Sequence, residues 1–157
     1  GIAVLRQRSP WGWSPGAVVT IIRSSMSVSP GSKTTVPVPS KGEKEAAVRT
    51  AIIKFEQEFL GRGPDEVRVF IVRDMLVVRL KGVLTPAERQ LAKTAEGVDM
   101  VKRLRQNLIA QGRERLCEQV ADLIGAKITA LFTDIDTVVG ERIFVFTLES
   151  DLEANFR

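Results

Sequence analysis

The 157-residue chain is 44% hydrophobic and 27% charged, with a mean hydropathy of +0.03, the balance of a soluble globular protein of about one domain. Its longest apolar runs, residues 69–72 and 143–146 among them, are four residues long, against the roughly 20 that span a bilayer as a helix; with no His, no Tyr and one Cys, Cys117, it lacks the means for Ser-His or Cys-His catalysis, a His-metal site or an internal disulfide. The formal charge of +4 comes from residues 1–40, where Arg6, Arg8, Arg23 and Lys33 meet no acid; the remainder balances 19 basic against 19 acidic side chains, so the charge describes no folded nucleic-acid face.

Residues 1–40 hold five of the seven prolines and many serines. Such a composition buries too little apolar surface to offset chain ordering, and disorder is expected. The 17–22 stretch is shorter than the roughly 7 to 15 apolar residues of a secretory core segment. Met26 is expected as the natural start, with residues 1–25 lying upstream of it.

From Lys41 the pattern changes. Val48, Ile52, Phe55 and Phe59 recur at helical spacing, predicting an amphipathic helix of about 18 residues. Gly61 stops it as a left-handed cap, and Gly63-Pro64 prevents resumption. Two β-branched runs follow, 66–72 and 75–81, separated by Arg73-Asp74, and they read as a hairpin with one face buried and the other covered in part. Thr85, Pro86 and Glu88 then make a capping box, opening a short helix over 86–94. Gly97 interrupts the chain, after which Val101, Leu104, Leu108, Leu116, Val120 and Leu123 trace the stripe of a long helix to about Ile124, with Gly112 on the stripe as a place of close packing or bending. Gly125 ends it. Strands over 126–133 and 142–148 flank a turn containing Asp134, Asp136 and Gly140.

The order α-β-β-α-α-β-β predicts one α+β domain over residues 41–152. It is a two-layer sandwich with helices on one face of a mainly antiparallel four-stranded sheet. A sheet face left apolar, or an edge strand, would favour a homodimer.

Gly61-Arg62-Gly63-Pro64 before an extended run, Gly82-Val83-Leu84-Thr85-Pro86-Ala87-Glu88 with Leu91 behind it, Arg105 in the long helix, and Asp134 with Phe146-Thr147-Leu148 at the close together resemble the bacterial Mps C-subunit family. The resemblance covers about residues 41–149; the family commonly has Lys between the two glycines, and Arg62 keeps that charge. It implies association with a membrane-potential-generating system linked to cation or inorganic-carbon transport, and so a membrane transport subunit as partner. It carries over no catalytic set.

The residues also support readings of their own. The 61–64 turn is either an anion nest with Arg62 beside it or a helix cap and turn; Pro64 removes one donor, and the cap is the better reading. Leu84 to Glu88 has a sufficient cause in capping. Lys102, Arg103, Arg105, Arg113 and Arg115 form the densest basic stretch, either a site for phosphate or an acidic partner or a solvated face offset by nearby acids. Arg105, where an apolar residue is expected, is alternatively a buried partner for Asp134 or Glu88. Asp134 and Asp136 share one side of an extended segment, as some magnesium sites require, yet Asp in turns caps its own backbone. Cys117 reads as a small core residue.

The leading functional reading is a non-enzymatic accessory or interaction domain without cofactor or metal, cytoplasmic and peripheral to the inner face of the membrane. The candidate binding residues are Arg62, Lys102, Arg103, Arg105 and Arg113. A nucleic-acid- or nucleotide-binding module is the alternative, opposed by the neutral folded part; a metal-dependent hydrolase on Asp134 and Asp136 ranks last.

Overall fold

A computed structural model of the chain describes residues 36–156. Expectations for residues 1–35, including the start at Met26, lie outside the described residues.

Helix α1 (Lys41–Leu60) opens where Ser40 and Glu43 cap each other: Glu43 N–H donates to Ser40 Oγ at 3.3 Å and Ser40 N–H to the Glu43 carboxylate at 2.7 Å, satisfying two of the helix's orphan donors. Gly61 closes it at φ 72°. Strands β1 (Glu66–Val72) and β2 (Met75–Lys81) form the expected hairpin, with Arg73 at φ 54° supplying the left-handed turn residue. Leu152 N–H donates to Arg73 C=O at 3.0 Å, and Lys41 pairs with Glu153 at 2.7 Å. The end of the chain thus ties the hairpin turn to the start of α1.

Helix α2 (Pro86–Leu91) is shorter than expected and α3 (Ala95–Ile124) longer. The cause is Thr94, whose side chain accepts from Gly97 N–H at 3.0 Å and starts α3. Gly97 therefore lies buried in the first turn of α3 and does not interrupt it. The buried stripe also sits beside the expected one. It runs through Gly97, Val101, Arg105, Ile109, Gly112, Leu116, Val120 and Ile124, while Leu104 and Leu123 are exposed. Close packing against α1 selects it: a Cβ on Gly112 would stand 2.6 Å from the Phe55 ring and 2.7 Å from that of Phe59. Those two rings stack with centroids 4.6 Å apart.

Strands β3 (Ile128–Asp136) and β4 (Glu141–Leu148) complete one sheet of order β1-β2-β4-β3, every neighbour antiparallel. The expected α+β order and four-stranded antiparallel sheet are the observed ones. β3 runs further than expected, so Asp134 and Asp136 belong to the strand; buried Ile135, paired with Arg142, extends the ladder through them. Strand alternation turns Val67, Val69 and Ile71 of β1, Leu76, Val78 and Leu80 of β2, and Phe144, Phe146 and Leu148 of β4 toward the helices. Burying each such side chain contributes about 2 kcal/mol. The opposite face is open, with Phe70 46% and Phe132 60% exposed.

Glycine requirements here divide by mechanism. A Cβ at position 97 would collide with the backbone carbonyl of Leu91, whereas at position 61 it meets nothing and only φ opposes it. Gly97→Ala is expected to cost at least about 3 kcal/mol and Gly61→Ala about 1–2 kcal/mol, as read by urea denaturation.

Candidate functional site

Three arginines converge on the loop between β2 and α2, which begins at Gly82. Its φ of 64° is one reason for glycine, and collision of a Cβ with the Asp65 carboxylate is another. Arg62 Nη1 donates to Leu84 C=O at 3.0 Å, and Arg62 Nη2 pairs with Asp65 at 2.8 Å. Arg89 donates to the same Leu84 carbonyl through Nη2 at 3.1 Å. Arg105 Nη2 donates to Val83 C=O. The loop thereby joins the Gly61, Gly63, Pro64 turn to the Leu84, Thr85, Pro86, Glu88 motif. Arg62 is engaged within the fold as the side chain that links them.

Arg105 lies on the inner stripe of α3, 1% exposed. Its Nε donates to Glu88 Oε1 at 2.8 Å and its Nη2 to Glu88 Oε2 at 2.7 Å, the planar two-point geometry that arginine suits. Of the two buried partners weighed for Arg105, the structure has Glu88; Asp134 is on the open face of the sheet. Glu88 Oε2 also accepts from Thr85 N–H at 2.7 Å. One carboxylate therefore caps α2 and anchors α3.

Two further buried charges complete the cluster. Glu56, 1% exposed, has Oε2 3.9 Å from Arg105 Nη1, and Arg142 enters from β4. Both Glu56 oxygens, Arg105 Nη1, and Nε and Nη1 of Arg142 make no hydrogen bond among the described residues. Sequence reading passed over both, although each had a signal: Glu56 continues the stripe of Val48 and Ile52 at spacing four, and Arg142 precedes Phe144 and Phe146 at spacing two.

The two acids respond to burial oppositely. Burial pushes the Glu88 carboxyl up, but hydrogen bonds from Arg105 and Thr85 outweigh it and hold Glu88 below the usual carboxylate range. In Glu56, burial prevails over the attraction of Arg142 and Arg105 and raises the pKa. Burial also lowers the pKa of Arg142, against the pull of Glu56.

The outer side of α3 is more open. Lys102 is half-buried and Arg103 exposed, and neither makes an ion pair among the described residues. Arg113 Nη2 donates to Leu131 C=O at 2.6 Å, and Arg115 pairs with Glu58 at 3.0 Å. Arg113 lines a groove of about 350 Å³ between α3 and β3, with Gln106, Ile109 and Phe132. Lys102 precedes Gln106 by one helical turn on that side. The five candidate binding residues thus do not form one site: Arg105 is sealed in the interior, Arg62 is at the loop, and Lys102, Arg103 and Arg113 follow α3.

Asp136 accepts from Val138 N–H at 2.8 Å and Val139 N–H at 3.2 Å, capping the turn, and Asp134 accepts from Ile135 N–H at 2.8 Å. Among the described residues no group of three metal-ligating side chains occurs. Burial pushes the Cys117 thiol up, against a smaller opposing effect of Arg113.

The linkage signs follow from these shifts. Ionised Glu88 contributes stability that is present above the unfolded carboxylate pKa of about 4.3 and lost as pH falls through its lower folded value. Glu56 is opposite: its contribution is full below that unfolded value and lost as pH rises through its higher folded one. Glu88→Gln is expected to cost about 3 kcal/mol at pH 7 and less as pH falls below about 4. Glu56→Gln should be less destabilising at pH 8 than at pH 4, with urea denaturation at each pH as the check.

The family model described as Na+-translocating membrane potential-generating system (MpsC) matches residues 40–150. The chain is 40% identical over 116 residues to the uncharacterized protein YbcI of Bacillus subtilis (strain 168), covering 74% of this chain and 94% of that one. It is 34% identical over 103 residues to the uncharacterized protein YrhF of the same strain, covering 64% and 84%. No solved structure matches it. With a match that takes in both loop motifs, the buried Arg105–Glu88 pair and all four strands, the chain belongs to the MpsC family.

Proposed function

We propose that this chain is a non-enzymatic accessory domain of a membrane-potential-generating, Na+-translocating system, working as a homodimer at the cytoplasmic side of the membrane. The observation that carries this reading is the family match over residues 40–150. Its description names a membrane process, and no helix among the described residues is long and apolar enough to cross a membrane. On this reading the domain acts by touching a transport subunit.

The chemistry of the chain agrees. It has no His to activate a nucleophile, and its one thiol has a raised pKa, first through burial, the opposite of what a reactive cysteine needs. The arginines that most resemble a binding cluster hold backbone carbonyls and Glu88 inside the fold. Lys102 and Arg103 extend from α3 with their charges outside such networks, and they are the side chains assigned here to an acidic surface of the partner.

The test is affinity capture of the tagged chain from detergent-solubilised native cells after mild crosslinking. A membrane transport protein is expected in the capture, depleted about tenfold by the Lys102→Glu/Arg103→Glu variant, which leaves Arg105 in place. Capture of nucleic-acid-associated proteins released by nuclease, with no membrane protein, would contradict the reading.

A further inference from the structure

The face of the sheet turned away from the helices is organised in rows that cross all four strands. Phe70, Val77, Val145 and Phe132 are register partners in one continuous apolar row. One pleat on, Arg68, Arg79, Ile143 and Asp134 form the next row, and Glu66, Lys81, Glu141 and Asp136 the last. The β1–β2 half therefore carries three cations and one acid, net +2, and the β4–β3 half three acids, net −3; within one copy Arg68 and Lys81 pair with Glu66, and Arg79 pairs with Glu141 across the two halves.

We propose that this face is the interface between two copies of the chain, related by a two-fold axis that runs parallel to the strands between β2 and β4. This deepens the homodimer reading above by naming its surface and its register. The axis lays β1 of one copy over β3 of the other. Phe70 then meets Phe132 of the second copy, Val77 meets its Val145, Arg68 meets its Asp134 and Lys81 meets its Glu141, two attractive charge facings against the one repulsive facing of Glu66 with its Asp136. A two-fold axis perpendicular to the strands would instead lay the positive half on the positive half. Charge complementarity selects the first arrangement, and aligned face-to-face packing is the ordinary way for two sheets to share a core.

The sheet edges point the same way. At the β1 edge Ile71 N–H is taken by Glu45 at 2.9 Å, and at the β3 edge Leu131 C=O is taken by Arg113 at 2.6 Å. Side chains that occupy edge groups oppose strand-to-strand association, leaving the face as the adhesive surface. Its dimensions fit: four strands about 4.8 Å apart and seven residues at about 3.4 Å each give a footprint of roughly 450 Å². Side-chain relief raises that toward the 600–1,000 Å² per partner of about the standard interface size.

The deciding experiment is sedimentation equilibrium on the full chain and on Arg68→Asp and Asp134→Arg, alone and mixed one to one. A dimer of the unaltered chain is expected, weakened at least about tenfold in each variant by two like-charge contacts. The mixture should recover dimer affinity to within about threefold, because each variant then meets the opposite charge at both positions. Phe132→Ser, which alters an exposed side chain and spares the core, should weaken the dimer if either charge variant proves misfolded. A dimer that none of these changes affects would overturn the proposed face while leaving the homodimer reading standing. A chain that stays monomeric at about 100 µM would overturn both.

Discussion

A guanidinium removed from water is tolerable only where its donors are met, since desolvation of an ion costs several kcal/mol before any pairing. Arg105 meets that condition at Nε and Nη2 through Glu88 and Val83 C=O, while Nη1, which makes no hydrogen bond among the described residues, has the Glu56 carboxylate 3.9 Å away, and the helical layer is arranged around those contacts. α3 supplies the arginine, α2 the bidentate carboxylate, the β2–α2 loop a carbonyl, and α1 the second acid. Because Glu88 also closes the capping box of α2, a shift of that short helix would break its own cap and the buried pair together. A six-residue helix has little cooperativity of its own, so this shared carboxylate is what places it.

The same constraint decides where the chain is able to meet other molecules. Arg62, Arg89 and Arg105 terminate on the loop carbonyls of Val83 and Leu84, making the loop a junction between the glycine turn after α1 and the start of α2. Arg105 is sealed in the interior, and half-buried Arg62 and exposed Arg89 are committed to the Leu84 carbonyl, so the basic pattern of the sequence translates poorly into an anion site. What remains outward is the α3 side with Lys102 and Arg103, and the open sheet face with its apolar row between charged ones. These two surfaces lie on opposite layers of the sandwich, so self-association through one leaves the other accessible.

Much of this was legible in the residues. The hairpin 66–72 and 75–81 followed from β-branched runs around Arg73-Asp74, and the cap at Thr85 and Glu88 from their spacing, because both are local arrangements that a few neighbours specify. The N-cap box of α1 was equally legible in Ser40 and Glu43 and passed unread. Harder to see was the stripe of α3. Leu104 and Leu123 fit an apolar template, but only Gly112 allows the Phe55 and Phe59 rings to approach, and that contact spans more than fifty positions. Gly97 misled for a related reason: its missing Cβ accommodates the Leu91 carbonyl of the preceding helix and does not break the chain. The charged cluster was half legible, with Arg105 and Glu88 visible as a candidate pair and Glu56 and Arg142 hidden because a charge on an apolar stripe reads as interruption until its partners are known.

Arg105 and Glu88 are bound to each other as one structural unit of the fold. A double-mutant cycle on stability, with Arg105→Met, Glu88→Gln and the combination, tests this directly. The two losses should overlap, leaving a coupling of at least about 2 kcal/mol. Losses that add to within about 0.5 kcal/mol would show two independent residues and contradict the account.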